Sequence, residues 1–295
     1  MREFTSCIEE FLLYLKIDKK YSDNTIMSYG NDLKKYEAFM KKRNIEIDDI
    51  SKKDIEEYLD ELKNHKISVS SISHTISTIR SFYKFLAINQ KQIRNPIDLI
   101  ERPKMGRRIP KVLSEEEVGT LLDISLENPF DYRNKAMLEL MYAAGLRVSE
   151  LVSLTIYSID LEEDVVRVKG KGSKERMVPI GDMAISSIKE YLQVRPSFLK
   201  KGPTDYLFLN NHGQKLTRQG FFKMIKKLAE EKGIITEFSP HTLRHSFASH
   251  LRKYGADLRT IQEFLGHSDI STTQIYTHIE NEEMKSTYHA KHPHG

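Results

Sequence analysis

Three prolines and a glycine fall within Asn95–Pro110, and they divide this chain of 295 residues into parts that must fold differently. Proline disfavours helix in the residue before it, so Asn95-Pro96, Arg102-Pro103 and Ile109-Pro110 mark an extended connector that no single helix can cross. On its N-terminal side the apolar residues recur at helical spacing. Ile8, Phe11, Leu12 and Leu15 lie at i, i+3, i+4 and i+7. A second helix follows Ser22 and carries Ile26, Tyr29, Leu33, Tyr36 and Phe39/Met40. Ser51 and Asp54 resemble a capping box ahead of Ile55, Tyr58, Leu59 and Leu62. A fourth helix from about Ser71 presents Ile72, Ile76, Ile79, Phe82, Tyr83 and Leu86. Residues 1–100 are thus expected to form a helical bundle, and nothing in them looks catalytic.

Beyond the connector the pattern is mixed. Ser114 with Glu117 is a clear capping box. A helix around Asn134–Ala144 should stop at Gly145. Val165–Val168 and Arg176–Ile180 flank a Lys/Gly turn and read as a hairpin, with Tyr206–Leu209 a candidate third strand. From Thr217 the pattern is helical again. Ser239-Pro240 makes a good N-cap and first-turn pair, and Gly255 and Gly266 look like helix stops. The expected fold is mainly α with a small β-sheet: a helical domain over 1–100, a basic linker over 101–111 and a mixed α/β domain over 112–295.

Composition excludes several classes. No run of about 18 apolar residues exists and the mean hydropathy is −0.50, so no membrane insertion is expected. The N-terminus has Glu9 and Glu10 and no long apolar stretch, unlike a secretory signal. A single cysteine, Cys7, rules out an internal disulfide and a multi-cysteine metal site, and a reducing cytoplasmic setting is expected. The net charge is +4, and residues 1–110, with 21 basic and 17 acidic side chains, carry all of it. Arg102, Lys104, Arg107, Arg108 and Lys111 cluster in the connector, as a solvated linker or as a strap along a phosphate backbone.

The residues that could carry chemistry are weak one at a time. Arg147 after Gly145-Leu146 could serve a helix end or pair with Glu150. Lys171 sits in an ordinary Lys-Gly turn. His241-Thr242-Leu243-Arg244 carries no weight alone in a chain with 11 histidines, and Tyr276 is one of 14 tyrosines. Together, though, two arginines, a lysine, two histidines (His241, His267) and a tyrosine suit phosphoryl transfer without a metal. Arginine forks bind non-bridging phosphate oxygens and stabilise growing charge. Histidine moves a proton near neutral pH. Lysine can protonate a leaving alkoxide, and tyrosine can hold the phosphodiester as a covalent link. No acidic cluster for two-metal catalysis and no Gly-x-x-x-x-Gly-Lys-Ser/Thr loop accompanies them. Neither a cofactor nor a metal is expected.

Four segments follow in order: Gly145-Leu146-Arg147-Val148-Ser149-Glu150-Leu151, Gly170-Lys171-Gly172-Ser173-Lys174-Glu175-Arg176, His241-Thr242-Leu243-Arg244-His245-Ser246-Phe247-Ala248 and Leu265-Gly266-His267-Ser268-Asp269 through Ile275-Tyr276-Thr277-His278. In this order and spacing the chain closely resembles the tyrosine recombinases, specifically their bacterial Xer branch, over nearly its whole length. The resemblance implies a helical core-binding domain and a tyrosine-recombinase catalytic domain that form a C-shaped clamp on DNA. Arg147 and Arg244 would grip the scissile phosphate. Lys171 would be the general acid, with Lys174 as its rival. His241 and His267 would assist proton movement and phosphate binding, and Tyr276 would be the nucleophile of a 3′-phosphotyrosyl intermediate. Glu150 would orient Arg147, and His245 would be packed or lie behind the site.

The implied partners are duplex DNA with a specific recombination site, a second Xer-type recombinase in a cyclic heterotetramer, and the septal DNA translocase. The implied task is resolving chromosome dimers through a Holliday junction at cell division. A mobile-element integrase would use the same residues, and an inactive site-specific DNA-binding protein is the reading from another class. Candidate DNA readers are Arg80 and Lys84 in one domain, Arg102, Lys104, Arg107 and Arg108 in the linker, and Arg218, Gln219 and Lys223 in the other. The tail 281–294, with His289, His292 and His294, reads either as frayed or, by the resemblance, as a helix exchanged between subunits.

Overall fold

The computed structural model describes residues 3–89, 95–98, 100–101, 103, 112–170, 175–200, 202–234, 239–266 and 286–294. Helix α1 (Phe4–Ile17) buries Phe4, Cys7, Ile8, Phe11 and Leu15, a stripe at three- and four-residue steps. Helix α2 (Asp23–Lys42) is capped by Ser22, and α3 (Lys52–Asn64) opens with the reciprocal Ser51–Asp54 box. Helix α4 (Val69–Asn89) begins two residues before the expected Ser71, because Ser68 Oγ accepts the Ser71 N–H at 3.1 Å. These four helices enclose a core rich in aromatic rings, including Phe4, Phe11, Tyr36 and Phe82. The Tyr36 and Tyr83 hydroxyls lie 3.1 Å apart inside it. Ile97 and Ile100 belong to the same core, so the chain beyond α4 stays with this unit at least to Ile100.

In the second half, α5 (Glu115–Leu122) carries the Ser114–Glu117 box. Helix α6 (Pro129–Ala144) starts five residues before the expected Asn134. Asn128 accepts the Phe130 N–H at 3.0 Å, Pro129 occupies the first turn, and Asp131 reaches back to the Asn128 N–H at 3.1 Å. Nearly all of Ala136–Ala144 is buried, which makes α6 the central helix of its unit. After the short α7 (Val148–Leu151) come β1 (Ile159–Asp160), β2 (Val165–Lys169) and β3 (Glu175–Pro179), an antiparallel sheet in that order. Its hairpin register places Val166 opposite Val178 and Val168 opposite Arg176. Then follow α8 (Asp182–Val194), α9 (Arg218–Glu231), α10 (Pro240–Lys253) and α11 (Leu258–Leu265), with α8 and α10 packed on α6.

Tyr206–Leu209 is not the third strand; β1 is. The segment makes only isolated bridges, Thr155 to Tyr206 and Leu209 to Lys215. Side chains take its carbonyls instead. Arg195 donates to the oxygens of Thr204, Tyr206 and Leu207, the Tyr191 hydroxyl also reaches Leu207 O, and Arg133 donates to Leu209 O at 2.9 Å. Its backbone pairing stops at single bonds, Leu207 N–H to Leu154 O at 2.9 Å and Leu216 N–H to Phe208 O at 3.2 Å, so no ladder runs along it.

Of the tail, residues 286–291 are helical rather than frayed, with Tyr288 fully buried and stacked on His292 at 4.7 Å. By contacts the chain divides into two compact units, Met1–Arg108 and Ile109–Gly295. Among the described residues no helix is long and apolar enough to cross a membrane.

Candidate active site

Gly145 ends α6 in the left-handed conformation, φ 54°, and a Cβ there would lie 2.5 Å from the Phe247 ring. Glycine therefore lets the chain leave α6 sharply and enter α7, whose N-cap is Arg147. Glu150 stands three residues on. One of its oxygens accepts the Arg147 backbone N–H at 2.8 Å, and the other accepts Arg147 Nη1 at 2.9 Å. The Arg147 side chain stays 39% exposed while that of Glu150 is 5% exposed, so the guanidinium is anchored from behind and open in front.

Two further arginines reach the same carboxylate. Strand β3 alternates its burial and turns Arg176 inward, where its two Nη atoms meet the Glu150 oxygens at 3.0 and 2.9 Å as a parallel fork. Arg244, on α10, is buried with Nη1 3.8 Å from Glu150 Oε2. Both also bind the end of α11, whose last carbonyls lack intrahelical donors. Arg176 Nε donates to Phe264 O at 3.0 Å and Arg244 Nη2 to Leu265 O at 2.6 Å. Arg244 Nη1 also donates to Gly145 O. The C-cap of α11 is Gly266, φ 62°, where a Cβ would press on Arg176 Cδ at 3.0 Å.

Three guanidinium groups on one carboxylate leave two positive charges in excess. Burial alone would push the Glu150 carboxyl up, but the Arg176 fork and the Arg147 N–H and guanidinium outweigh it and hold it below the usual range. Burial, reinforced by the charge of Arg147, pushes Arg244 down to about 10, so it remains charged at neutral pH. The arrangement can receive an anion at the open face of Arg147.

His241 is exposed in the first turn of α10, three residues before the buried Arg244. The first turn is set by Ser239, which accepts the Thr242 N–H, and by Pro240. His245 is exposed, which removes the packed alternative of the two expected for it: in helical phase it falls beside His241, while Leu243, Arg244, Ser246 and Phe247 take the buried side. Lys171, Lys174, His267 and Tyr276 lie outside the described residues, as do Arg102, Lys104, Arg107, Arg108 and Lys111.

Among the proposed DNA readers, Lys84, Arg218, Gln219 and Lys223 are exposed. Arg80 is half-buried, and its Nη2 donates to Ile100 O at 2.7 Å, holding the start of the connector. Sequence reasoning assigned no role to Arg176. The alternation Arg176, Val178, Ile180 on the inner face of β3 and beyond was the available signal for a buried arginine needing a carboxylate. Among the described residues, no three His, Cys, Asp or Glu side chains are placed to share a metal ion.

Residues 111–283 match the phage integrase family, and residues 8–90 match the phage integrase N-terminal SAM-like domain. The tyrosine recombinase XerD of Oceanobacillus iheyensis is 48% identical over 290 residues, covering 97% of this chain and 98% of that protein. The same-named protein of Staphylococcus saprophyticus is 46% identical over 289 residues, covering 97% and 98%. Among solved structures, the XerH site-specific recombinase bound to difH substrate in a pre-cleavage complex matches with TM-score 0.67 and 28% identity, over 89% of this chain and 79% of that one. The wording Gly266-His267-Ser268-Asp269 and the tail lead to an expectation of XerD rather than XerC, and these relatives carry the name XerD. With both of its halves matched and relatives of this similarity along nearly its full length, the chain belongs to the phage integrase family of site-specific tyrosine recombinases.

Proposed function

We propose that Arg147 holds the scissile phosphate of a specific recombination site in duplex DNA, with the buried Arg244 adding its charge from behind, while Tyr276 attacks it. The observation that carries this reading is the excess of two positive charges around Glu150, with only Arg147 open to solvent. A phosphodiester brings one negative charge and its pentacovalent transition state two, so the surplus matches the transition state better than the ground state. The Tyr276 oxygen forms a bond to phosphorus as the bond to the 5′-oxygen breaks. Lys171 gives its proton to that leaving oxygen, and His241 and His267 take up the tyrosine proton and bind phosphate oxygens. The covalent 3′-phosphotyrosine keeps the bond energy, so a 5′-hydroxyl can reverse the step and rejoin strands through a Holliday junction.

The biological task that fits is resolution of chromosome dimers in the cytoplasm of a dividing cell. A second Xer-type recombinase would complete a cyclic heterotetramer, with the chain beyond residue 281 exchanged between subunits and the septal DNA translocase as the activating partner. The test is a nicked, end-labelled duplex carrying a candidate site, incubated in EDTA and run in SDS. A protein–DNA adduct is expected from the wild type, alone or with the partner recombinase, and none from Tyr276→Phe. An adduct that survives Tyr276→Phe, or that forms only with divalent cation, overturns the reading.

A further inference from the structure

Beside α7, an open groove is lined by Ser149, Val152 and Ser153 and by Gln214 through Arg218. Its polar lining consists of hydroxyls, an amide and two cations, Lys215 and Arg218, with no carboxylate. Lys215 is half-buried, its ammonium held 2.8 Å from Ser153 Oγ and 4.9 Å from the centre of the Tyr206 ring. Tyr206 is in turn fixed through its backbone by Arg195. The lysine is thus aimed by two contacts, and the charge it carries has no anion facing it within the groove. A lysine kept beside a hydroxyl and a ring face keeps unused donors for a small anion.

The groove adjoins the active site through α7 itself. Ser149 is two residues from Arg147, and the four residues of α7 rise only about 6 Å. One strand of duplex carries a phosphate for about every 3.4 Å of axis. A backbone running past Arg147 therefore brings another phosphate to this groove within two or three nucleotides.

We infer that Lys215, with Ser149 and Ser153, binds a phosphate flanking the scissile one on the same strand, and that Lys215 is a positioning residue for cleavage. This rests on the proposed strand-cleavage reading. The anchored phosphate fixes the register of the strand, so that the phosphate at Arg147 is the one meant to be cut.

The experiment combines Lys215→Ala with duplexes in which single phosphates near the scissile position are replaced one at a time by neutral methylphosphonates. Binding is measured by gel shift in a Tyr276→Phe background, so it reads the groove even if no adduct ever forms. Adduct formation by the otherwise wild-type protein is scored separately and tests the cleavage reading alone. Lys215→Ala is expected to weaken binding about tenfold and to lower the salt slope by about 0.9. At one phosphate within three positions of the scissile one, the neutral substitution should cost the wild type about tenfold and the variant nothing more.

Lys215→Arg should restore affinity and salt slope. Lys215→Gln, which can still donate to Ser153, should not, and this separates charge from folding. If the losses from variant and neutral phosphate simply multiply at every position, or if Lys215→Gln binds like wild type, the inference is wrong.

Discussion

Among the described residues, the helical unit buries one ionisable carboxylate, whereas the catalytic unit buries many ionisable groups. Inside the first, Tyr36 and Tyr83 meet hydroxyl to hydroxyl, and its buried carboxylate, Glu37, sits at the margin with Lys41 at 2.8 Å and Thr5 beside it. The second encloses Arg133, Glu139, Glu150, Arg176, Arg195, Arg244, His250 and His292. Burying a charge costs several kcal/mol unless partners compensate it. The partners show which of these charges are architectural. Arg133 and Arg195 end on backbone carbonyls of the 204–209 segment and simply hold it. Arg147, Arg176 and Arg244 share one carboxylate and remain in electrostatic excess. Burial of charge is therefore not what distinguishes the site from its scaffold; imbalance of charge is.

The strongest way to break this contrast is Glu150→Gln. The amide keeps the shape but leaves three guanidinium groups facing one another with no anion among them. Unfolding free energy should fall by about 3–5 kcal/mol, the usual cost of removing one partner of a buried ion pair. Adduct formation should fall by about 10²–10³-fold as Arg147 loses its anchor. Chemical denaturation and the adduct assay read the two effects. A variant of unchanged stability and activity would mean that Glu150 neither balances nor orients the arginines.

Much of the fold is legible from the sequence because it rests on local signals. The apolar stripes of α1 to α4, the boxes at Ser51 and Ser114, and the stop at Gly266 all depend on residues a few positions apart. The two element errors come from different causes. The start of α6 was encoded in Asn128-Pro129 and Asp131, but its first turn is mostly half-buried or exposed, with Phe130 at the surface, so no apolar stripe marked it. Tyr206–Leu209 has strand composition, yet Arg133 from α6 and Arg195 from the turn after α8 claim its carbonyls. Those arginines are 76 and 12 residues from the carbonyls they bind, separations that pattern does not report. The same limit applies at the site. Arg147 and Arg244 stood out by motif, whereas Arg176 acquires its role only when β3 and α7 meet around Glu150.

A gentler probe uses pH. His292 is buried among Tyr142, Phe247 and Tyr288, and its Nδ1 accepts the His294 N–H at 3.0 Å. Burial, followed by the neighbouring His294, pushes its imidazole down to about 3. Burial lowers His250 too, although its ring bonds the Tyr142 hydroxyl and Leu113 O, while His294 faces the buried Glu139 at 3.3 Å. An imidazole depressed on folding binds more protons when unfolded, so its contribution is whole above about pH 6.5 and is lost as pH falls toward 3. Between pH 7.5 and 4.5, hydrogen-exchange protection of residues 286–294 should decline by on the order of 2 kcal/mol. His292→Phe should flatten that decline. The helical unit supplies the control, and equal loss of protection in α1 to α4 would erase the contrast between the two cores.

The smallest expected effect lies in that helical core. Tyr36→Phe removes one hydroxyl of the buried pair and leaves Tyr83 without its partner, which should cost about 1–2 kcal/mol. Replacing both tyrosines by phenylalanine removes the orphan and should bring stability back to within about 1 kcal/mol of wild type. No comparable recovery is open to Glu150, because three arginines cannot be neutralised together without removing the site. In the double variant, adduct yield at saturating DNA should equal that of the wild type. A drop at saturation would mean that packing inside the helical unit reaches the chemistry, and the contrast between a core that only supports and a core that also charges the site would fail.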